Sequence, residues 1–250
     1  MDAQWYEMAS IIRYSVDFYL SHMPLILLFS VSFVIAFLIP LFASLPAYND
    51  AGAIFIRQAS VFHNLTLFST AVIIFSTLFS LLFLSFAIVA INVIVKHSRT
   101  HTKIKREVLE GLERYTSSVF SVLVFFTLLM GVVSVFDYAV GVPAAVTAIV
   151  GLILTPFFFY APASIVIDER SIERSMAASA AFFVREIKYP LLWVVAAIAL
   201  ITVFDFIFIA IGGTSGSRFL LLIFNSLFII PFLVVLQSQA YMRRFPMLKL

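Results

Sequence analysis

The chain has 250 residues, of which 63% are hydrophobic and 12% are charged, and its formal net charge at pH 7 is +3. A soluble domain carries about a quarter charged residues, so this composition excludes an ordinary water-soluble domain. The small net charge argues against nucleic-acid binding. The sequence contains no cysteine, which excludes disulfides, thiolate nucleophiles and thiolate metal sites.

The apolar residues fall in long uninterrupted runs. A helix rises about 1.5 Å per residue, so about 20 apolar residues cross a hydrocarbon core of about 30 Å. We therefore predict a single membrane domain over residues 1–250, an all-α polytopic bundle of about six transmembrane helices. The predicted spans are 24–42, 67–95, 119–136, 144–167, 190–211 and 219–241.

The basic residues predict the orientation of the bundle. All of them except Arg57 and Arg218 fall on one side of this span map. The positive-inside rule places that side in the cytoplasm, so we expect a multi-pass protein of the cell membrane with cytoplasmic N- and C-termini. On the other side we expect a longer loop over 43–66 and short turns at 137–143 and 212–217.

Three stretches with mixed charge and helical periodicity precede the first, third and fifth spans. When the first and third stretches are superposed, Pro24 and Pro190 coincide, each at the start of a span, where proline is tolerated. We expect each stretch to form a cytoplasmic amphipathic helix in the membrane interface. The chain would then be a threefold repeat of interfacial helix plus hairpin, over 1–95, 96–167 and 168–250.

The faces of these helices follow from residues three or four apart. In the second helix, Glu110 is predicted to form ion pairs with both Arg106 and Arg114. In the third, Ser175 and Ser179 are predicted on the polar face. The predicted apolar residues are Met8, Ile12, Val16 and Tyr19 in the first helix, Ile104, Val108, Leu112 and Tyr115 in the second, and Ile172, Met176, Phe183 and Ile187 in the third.

The stretch Tyr160-Ala161-Pro162-Ala163-Ser164-Ile165-Val166-Ile167-Asp168-Glu169 precedes an amphipathic helix and then Trp193 in a new span. This order resembles the uncharacterised six-helix membrane proteins related to the membrane domain of glycerophosphodiester phosphodiesterases. In that family a small-and-proline stretch ends a span, an acidic turn follows, and a helix with an early serine leads to the next span.

Ser171 or Ser175 would be that serine, and the segment from Lys103 to Gly131 resembles the family's other cytoplasmic helix and span. Residues 186–189 depart from the family, which has glycine or asparagine in this turn. The resemblance implies a six-helix membrane fold. It implies no catalytic residue, because the namesake's activity resides in a separate soluble domain.

Asp205 and Asn225 are candidates for an intramembrane polar pair. Asp205 lies seven residues before Gly212, about 10 Å from the outer end of the fifth span, and Asn225 lies at a similar depth in the sixth. Polar residues in hydrocarbon usually face the bundle. We interpret the two as a hydrogen-bonded pair that fastens the spans, with an ion or proton pathway as the alternative.

Other polar residues in the spans have simpler interpretations. Asn92 is expected to cap or hydrate the end of the second span, and Ser69, Ser76 and Ser80 share one face that more often allows helices to approach than lines a pore. Prolines 156, 162 and 231 are expected to kink the fourth and sixth spans.

Two short motifs suggest chemistry that the rest of the sequence does not support. His97 and His101 have metal-ligand spacing, but no histidine or cysteine nearby supplies a third ligand. Gly213-Thr214-Ser215-Gly216 matches the Gly-x-Ser-Gly of intramembrane serine proteases, but no histidine follows His101 to act as its base.

We therefore expect no catalytic, cofactor-binding or metal-binding residues, no cofactor and no enzymatic activity. Our first hypothesis is a scaffold or membrane subunit of a larger assembly. Its expected partners are the lipid bilayer and a protein bound through the cytoplasmic helices, and nucleic acid is not expected. The alternative is a small-solute or ion transporter or channel that uses the polar residues of spans two, five and six.

Overall fold

The computed structural model describes residues 2–42, 47–50, 53–56, 66–98, 104–141 and 145–243. Apart from a short antiparallel hairpin, these residues are almost entirely helical, because a chain in hydrocarbon must satisfy its backbone hydrogen bonds internally. In chain order the elements are α1 (Asp2–Ser21), α2 (Met23–Phe42), β1 (Ala47–Asp50), β2 (Ala53–Ile56), α3 (Leu67–Ser98), α4 (Ile104–Val140), α5 (Ala145–Phe158), α6 (Ala161–Asp168), α7 (Ile172–Arg185), α8 (Lys188–Phe224), a π-helical turn (Asn225–Ile229) and α9 (Ile230–Met242).

Within the described residues, five helical segments are long and apolar enough to cross a membrane: Leu67–Ser98, Arg106–Asp137, Val146–Asp168, Lys188–Ile211 and Phe219–Met242. The pair α1–α2, bent by 90°, gives a sixth when it is counted as one span. The prediction of an all-α polytopic bundle is confirmed. We number α2 as span one, α3 as span two, α4 as span three, α5 with α6 as span four, and the last two segments as spans five and six.

The first predicted interfacial helix, α1, is a separate helix, and its contact with the membrane interface stays a prediction. Its buried face packs against α9 and consists of Ile11, Ser15, Phe18 and Tyr19. Ile12 and Val16, expected on the apolar face, are each 37% exposed. Pro24 is the second residue of α2, where its missing N–H costs no helical hydrogen bond.

The second predicted interfacial helix is not separate from its span. It continues as α4, whose 37 residues measure about 55 Å, well beyond a hydrocarbon core of about 30 Å. The apolar stripe of α4 continues from Val108 through Leu112 and Tyr115 to Val119 and packs along α3, so nothing in its packing ends the helix.

Spans five and six form a hairpin that reverses between Phe208 and Phe224, the stretch that contains the predicted turn over 212–217. Helical conformation continues through residues 212–217 to the end of α8. The chain nevertheless reverses its direction within this stretch. The rings of Phe208 and Phe224 are 5.4 Å apart, whereas 16 residues of straight helix would span about 24 Å.

The predicted loop 43–66 includes the β1–β2 hairpin, in which Ala47 pairs with Ile56. The rest of it, except Thr66, lies outside the described residues, as do Arg57, His101 and Pro143.

A continuous run of buried residues lies at one end of the bundle. We call this the charged end; it carries Lys96, Arg114, Asp168, Glu169 and Arg170. Residues 89–95 of α3 are all buried there, against α2, α4, α6 and α9. By contrast, only 6% of the most apolar window of span five is buried, compared with 56% for span six.

Candidate functional site

Span four is interrupted at Phe159 and Tyr160, between α5 and α6, and we call this interruption the break. Pro156 lies inside α5, and Pro162 lies in the first turn of α6, so the predicted kink of this span is confirmed. Because Pro162 has no N–H, the carbonyl of Phe158 cannot receive its regular helical bond. Tyr160 and the first three residues of α6 are all buried, so this part of the break is enclosed by protein.

A serine hydroxyl from α7 occupies the break. In a regular helix the N–H of Tyr160 would bond to the carbonyl of Pro156. Here Tyr160 donates to Ser179 Oγ at 2.9 Å, and Ser179 Oγ donates to the Pro156 carbonyl at 2.7 Å. The hydroxyl is therefore inserted into one helical hydrogen bond, a recognised cause of sharp kinks.

This contact corrects the predicted orientation of α7. Ser175 and Ser179, expected on the polar face, are both fully buried, together with Phe182. Ile172, Met176 and Phe183, expected on the apolar face, are partly buried against the core, and Ile187 lies beyond the end of α7 and is 47% exposed. Ser179 faces inward because the interrupted backbone of span four offers its hydroxyl polar partners.

A second side chain satisfies the break from span six. Gln237 Nε2 of α9 donates to the carbonyl of Phe159, which in a regular helix would accept from the N–H of Ala163. Gln237 was not among the predicted site residues. Its signal in the sequence is an amide within a mainly apolar span, which it shares with Asn225 and Gln239.

Aromatic rings surround the break and join it to α7, α8 and α9. Tyr160 lies edge-on to Phe182, with ring centroids 4.9 Å apart, and stacks on Tyr241 at 5.6 Å. Phe159 lies edge-on to Trp193 at 5.2 Å, and Trp193 Nε1 donates to the carbonyl of Leu233 at 2.8 Å. Edge-to-face pairs of this kind stabilise a packed core beyond the area that they bury.

Asp168, the last residue of α6, is a buried acid with several donors. Its Oδ2 accepts from the hydroxyl of Tyr241 at 2.7 Å and from Ser164 Oγ at 3.3 Å, and Arg170 Nε lies 3.3 Å away. The next residue, Glu169, has the left-handed conformation, with φ of 55°. This turn directs the two adjacent carboxylates to different partners.

Glu169 joins three spans at the charged end. Its Oε1 lies 2.8 Å from Lys96 Nζ, and its Oε2 lies 2.8 Å from Arg114 Nη2. Lys96 also donates to the carbonyl of Val166 at 3.0 Å, at the negative end of α6. The hydrogen bond from Lys96 holds the pKa of the Glu169 carboxyl below its usual range, and Tyr115 acts in the same direction.

The ion pairs of α4 partly differ from the prediction. The pair between Arg106 and Glu110 is confirmed at 2.8 Å. Arg114, the other predicted partner of Glu110, instead pairs with Glu169. The tertiary partner is favoured because it lies in a less exposed setting, where Coulomb attraction is weakened less by water.

Asn92 has a different role from the predicted cap. It is buried, its Nδ2 donates to the carbonyl of Ile88 at 2.8 Å, and Ser238 Oγ lies 2.8 Å from its Oδ1. The Ser238 hydroxyl also lies 2.7 Å from the Val234 carbonyl of its own helix. Asn92 therefore connects α3 to α9.

Asp205 and Asn225 lie at the same level of the hairpin. The residues that precede them, Phe204 and Phe224, face each other across it with ring centroids 4.5 Å apart. Asp205 is half-buried in α8. Asn225 is buried and begins the π-helical turn. The hydrogen bond between the two stays a prediction.

The π-helical turn lies just before Pro231. The N–H of Ile230 bonds to the carbonyl of Asn225, which is the wide spacing of a π-turn. Pro231 cannot donate to the carbonyl of Leu227, and the hydroxyl of Tyr19 lies 3.4 Å from that oxygen. The predicted irregularity at this proline is thus present as a widened turn.

The remaining candidates lie in helix packing or beside a charged neighbour. Ser80 Oγ donates to the carbonyl of Ala36 in α2 at 2.7 Å, which agrees with its predicted place in helix packing. Ser76 is buried. His97 Nε2 lies 3.7 Å from a carboxylate oxygen of Glu107.

No family model, curated protein or solved structure matches the chain. What the chain does must therefore be argued from its own residues. Its apolar helices make it a multi-pass membrane protein.

Proposed function

We propose that the chain is a membrane subunit or scaffold of a larger assembly, with the charged end in the cytoplasm. The observation that carries this proposal is the continuous helix α4. It is about 25 Å longer than a hydrocarbon core, and its first turns carry exposed charges: Arg106 is 82% exposed in its side chain and Glu110 is 58% exposed. A helix that leaves the bilayer with alternating charges suits recognition of a protein partner.

This extension of α4 is held firmly against the bundle. Arg114 pairs with Glu169, and Glu169 pairs with Lys96, so α4 is joined to spans two and four where it leaves the predicted membrane. Interactions between fixed charges lose less conformational entropy on binding than interactions of mobile ones. The charged face of α4 is thus presented in one orientation.

Closure of the break also supports a subunit. The hydroxyl of Ser179 and the amide of Gln237 occupy backbone positions that a solute would otherwise contact.

The proposal includes kinship with the six-helix family named above. Tyr160 to Glu169, which carry that resemblance, form the second residue of the break, α6 and the acidic turn.

The test is co-purification from native membranes in mild detergent, followed by mass spectrometry of the bound proteins. Arg106→Glu and Glu110→Arg in α4, and Arg174→Glu at an exposed arginine of α7, should each reduce recovery of a stoichiometric partner. The double variant Arg106→Glu with Glu110→Arg keeps the ion pair but exchanges its charges, and it should also lose the partner. Unchanged recovery in all of these variants would refute the proposal.

A transporter or channel is the second candidate, and the irregular backbone of spans four and six favours it. Interrupted helices in membrane proteins often form binding sites near the midplane, and π-turns are frequent at functional sites. The π-turn here begins at the buried Asn225, beside the level of Asp205. In proteoliposomes Asp205→Asn should change solute or ion flux. Wild-type flux equal to that of empty vesicles would exclude this candidate.

A further inference from the structure

The break depends on a single hydroxyl between two groups that would otherwise bond to each other. The N–H of Tyr160 and the carbonyl of Pro156 form the donor and acceptor of one regular helical turn, and Ser179 Oγ bridges them. If Ser179 moved away, the two groups could bond directly and span four could continue through the break. We infer that span four has a broken and a straighter form, and that insertion of Ser179 selects the broken one.

The prolines on either side leave the number of helical hydrogen bonds that they could donate the same in both forms, whereas the ring of Pro162 would crowd the Phe158 carbonyl in a continued helix and so favours the broken form. Pro156 and Pro162 have no N–H, so the helical bonds that they would donate are absent in both forms. The Phe159 carbonyl exchanges a bond from Gln237 for one from the N–H of Ala163. Few hydrogen bonds therefore separate the forms, as a two-state element requires.

The helix α7 connects this change to the surface of the charged end. Ser179 is buried on one side of α7, whereas Val184 on the other side is 72% exposed. Ser175, one turn before Ser179, is fully buried, and among the described residues its hydroxyl has no hydrogen-bond partner. Burial of a hydroxyl without a partner costs free energy, so Ser175 does not help to hold α7 in its present position. A partner that binds the exposed side of α7 could thus withdraw Ser179.

The part of span four that would move is α5. The other half, α6, is fixed to α3 by the contact from Lys96 to the Val166 carbonyl and to α9 by the bond from Tyr241 to Asp168. The 14 residues of α5 measure about 21 Å, so a change of about 20° at the break moves its far end by about 7 Å.

Because the chain contains no cysteine, two introduced cysteines give specific labelling sites. We would place spin labels at Ile149 in α5 and Ile198 in span five, both exposed, and measure their distance distribution in lipid nanodiscs by pulsed electron resonance. Ile149 lies about 15 Å from the break, so Ser179→Ala should shift the distribution by up to about 5 Å or add a second population. Ser175→Ala, a buried serine of the same helix face, should leave it unchanged.

A Ser179→Ala protein with the distance distribution of the unsubstituted chain would overturn the inference, even if it unfolds at a lower temperature. That result would limit Ser179 to a packing role. If Ser179→Ala cannot be purified in folded form, Gln237→Met replaces it, since it removes the other contact at the break and leaves the hydroxyl in place. It should also add a population with a changed distance, and an unshifted distribution would count against the two forms.

Discussion

Gly111 allows α3 and α4 to approach at the charged end. A Cβ placed on Gly111 would lie 2.6 Å from Cγ2 of Val93, which is fully buried. Gly131, in the same helix, is exposed, and a Cβ there would meet nothing within 4 Å. The two glycines therefore form a matched pair that differs in packing.

The substitutions Gly111→Ala and Gly131→Ala should have opposite effects. Each gains about 0.5–1 kcal/mol from the higher helix propensity of alanine. Gly111→Ala also overpacks the α3–α4 contact, which costs about 1–3 kcal/mol. Because the propensity gain is common to both, the difference between the two variants isolates the clash at about 1–3 kcal/mol.

Thermal unfolding in detergent measures this difference, since 1 kcal/mol corresponds to about 2–4 °C for a chain of this size. Val93→Ala supplies the second test. Alone it leaves a cavity and should destabilise the protein, but in the Gly111→Ala variant it should recover stability because it removes the clashing methyl groups. Equal unfolding temperatures for Gly111→Ala and Gly131→Ala would refute the reasoning.

Two further predictions concern polar contacts at the charged end. Ser238→Ala leaves the buried Oδ1 of Asn92 without its donor and should reduce the free energy of unfolding by about 1–3 kcal/mol, measured by chemical denaturation in micelles. Ser226→Ala is the control, because among the contacts described that buried hydroxyl bonds only to a carbonyl of its own helix. An equal cost for the two variants would contradict the prediction. The contact with Lys96 lowers the pKa of the Glu169 carboxyl in the folded protein. The ion pair therefore stabilises the fold fully above pH 4.5, the ordinary pKa of a glutamate, and this stabilisation is lost as the pH falls through the lowered folded-state pKa. Glu169→Gln should therefore be less stable at neutral pH and should lose less stability on acidification, and parallel pH profiles of the melting temperature would contradict this.

The sequence by itself determined the class of protein and the approximate limits of its spans. Hydrocarbon thickness fixes how long an apolar helix must be, and this constraint acts locally along the chain. Proline has a local effect for a similar reason, so Pro24 at a helix start and Pro156 and Pro162 beside the break could be predicted from sequence. The pair between Arg106 and Glu110 is also local, four residues apart on one helix.

The tertiary structure decided which polar groups meet. Ser179 faces inward because span four, about 20 residues earlier in the chain, presents a free N–H and carbonyl, and helical periodicity cannot show this. Gln237 finds its acceptor 78 residues away, and Ser238 reaches Asn92 across 146 residues. Such contacts depend on how helices pack side by side, because a buried polar group must pair with whatever neighbour the packing provides. That neighbour is fixed in three dimensions and leaves no periodic signal in the sequence.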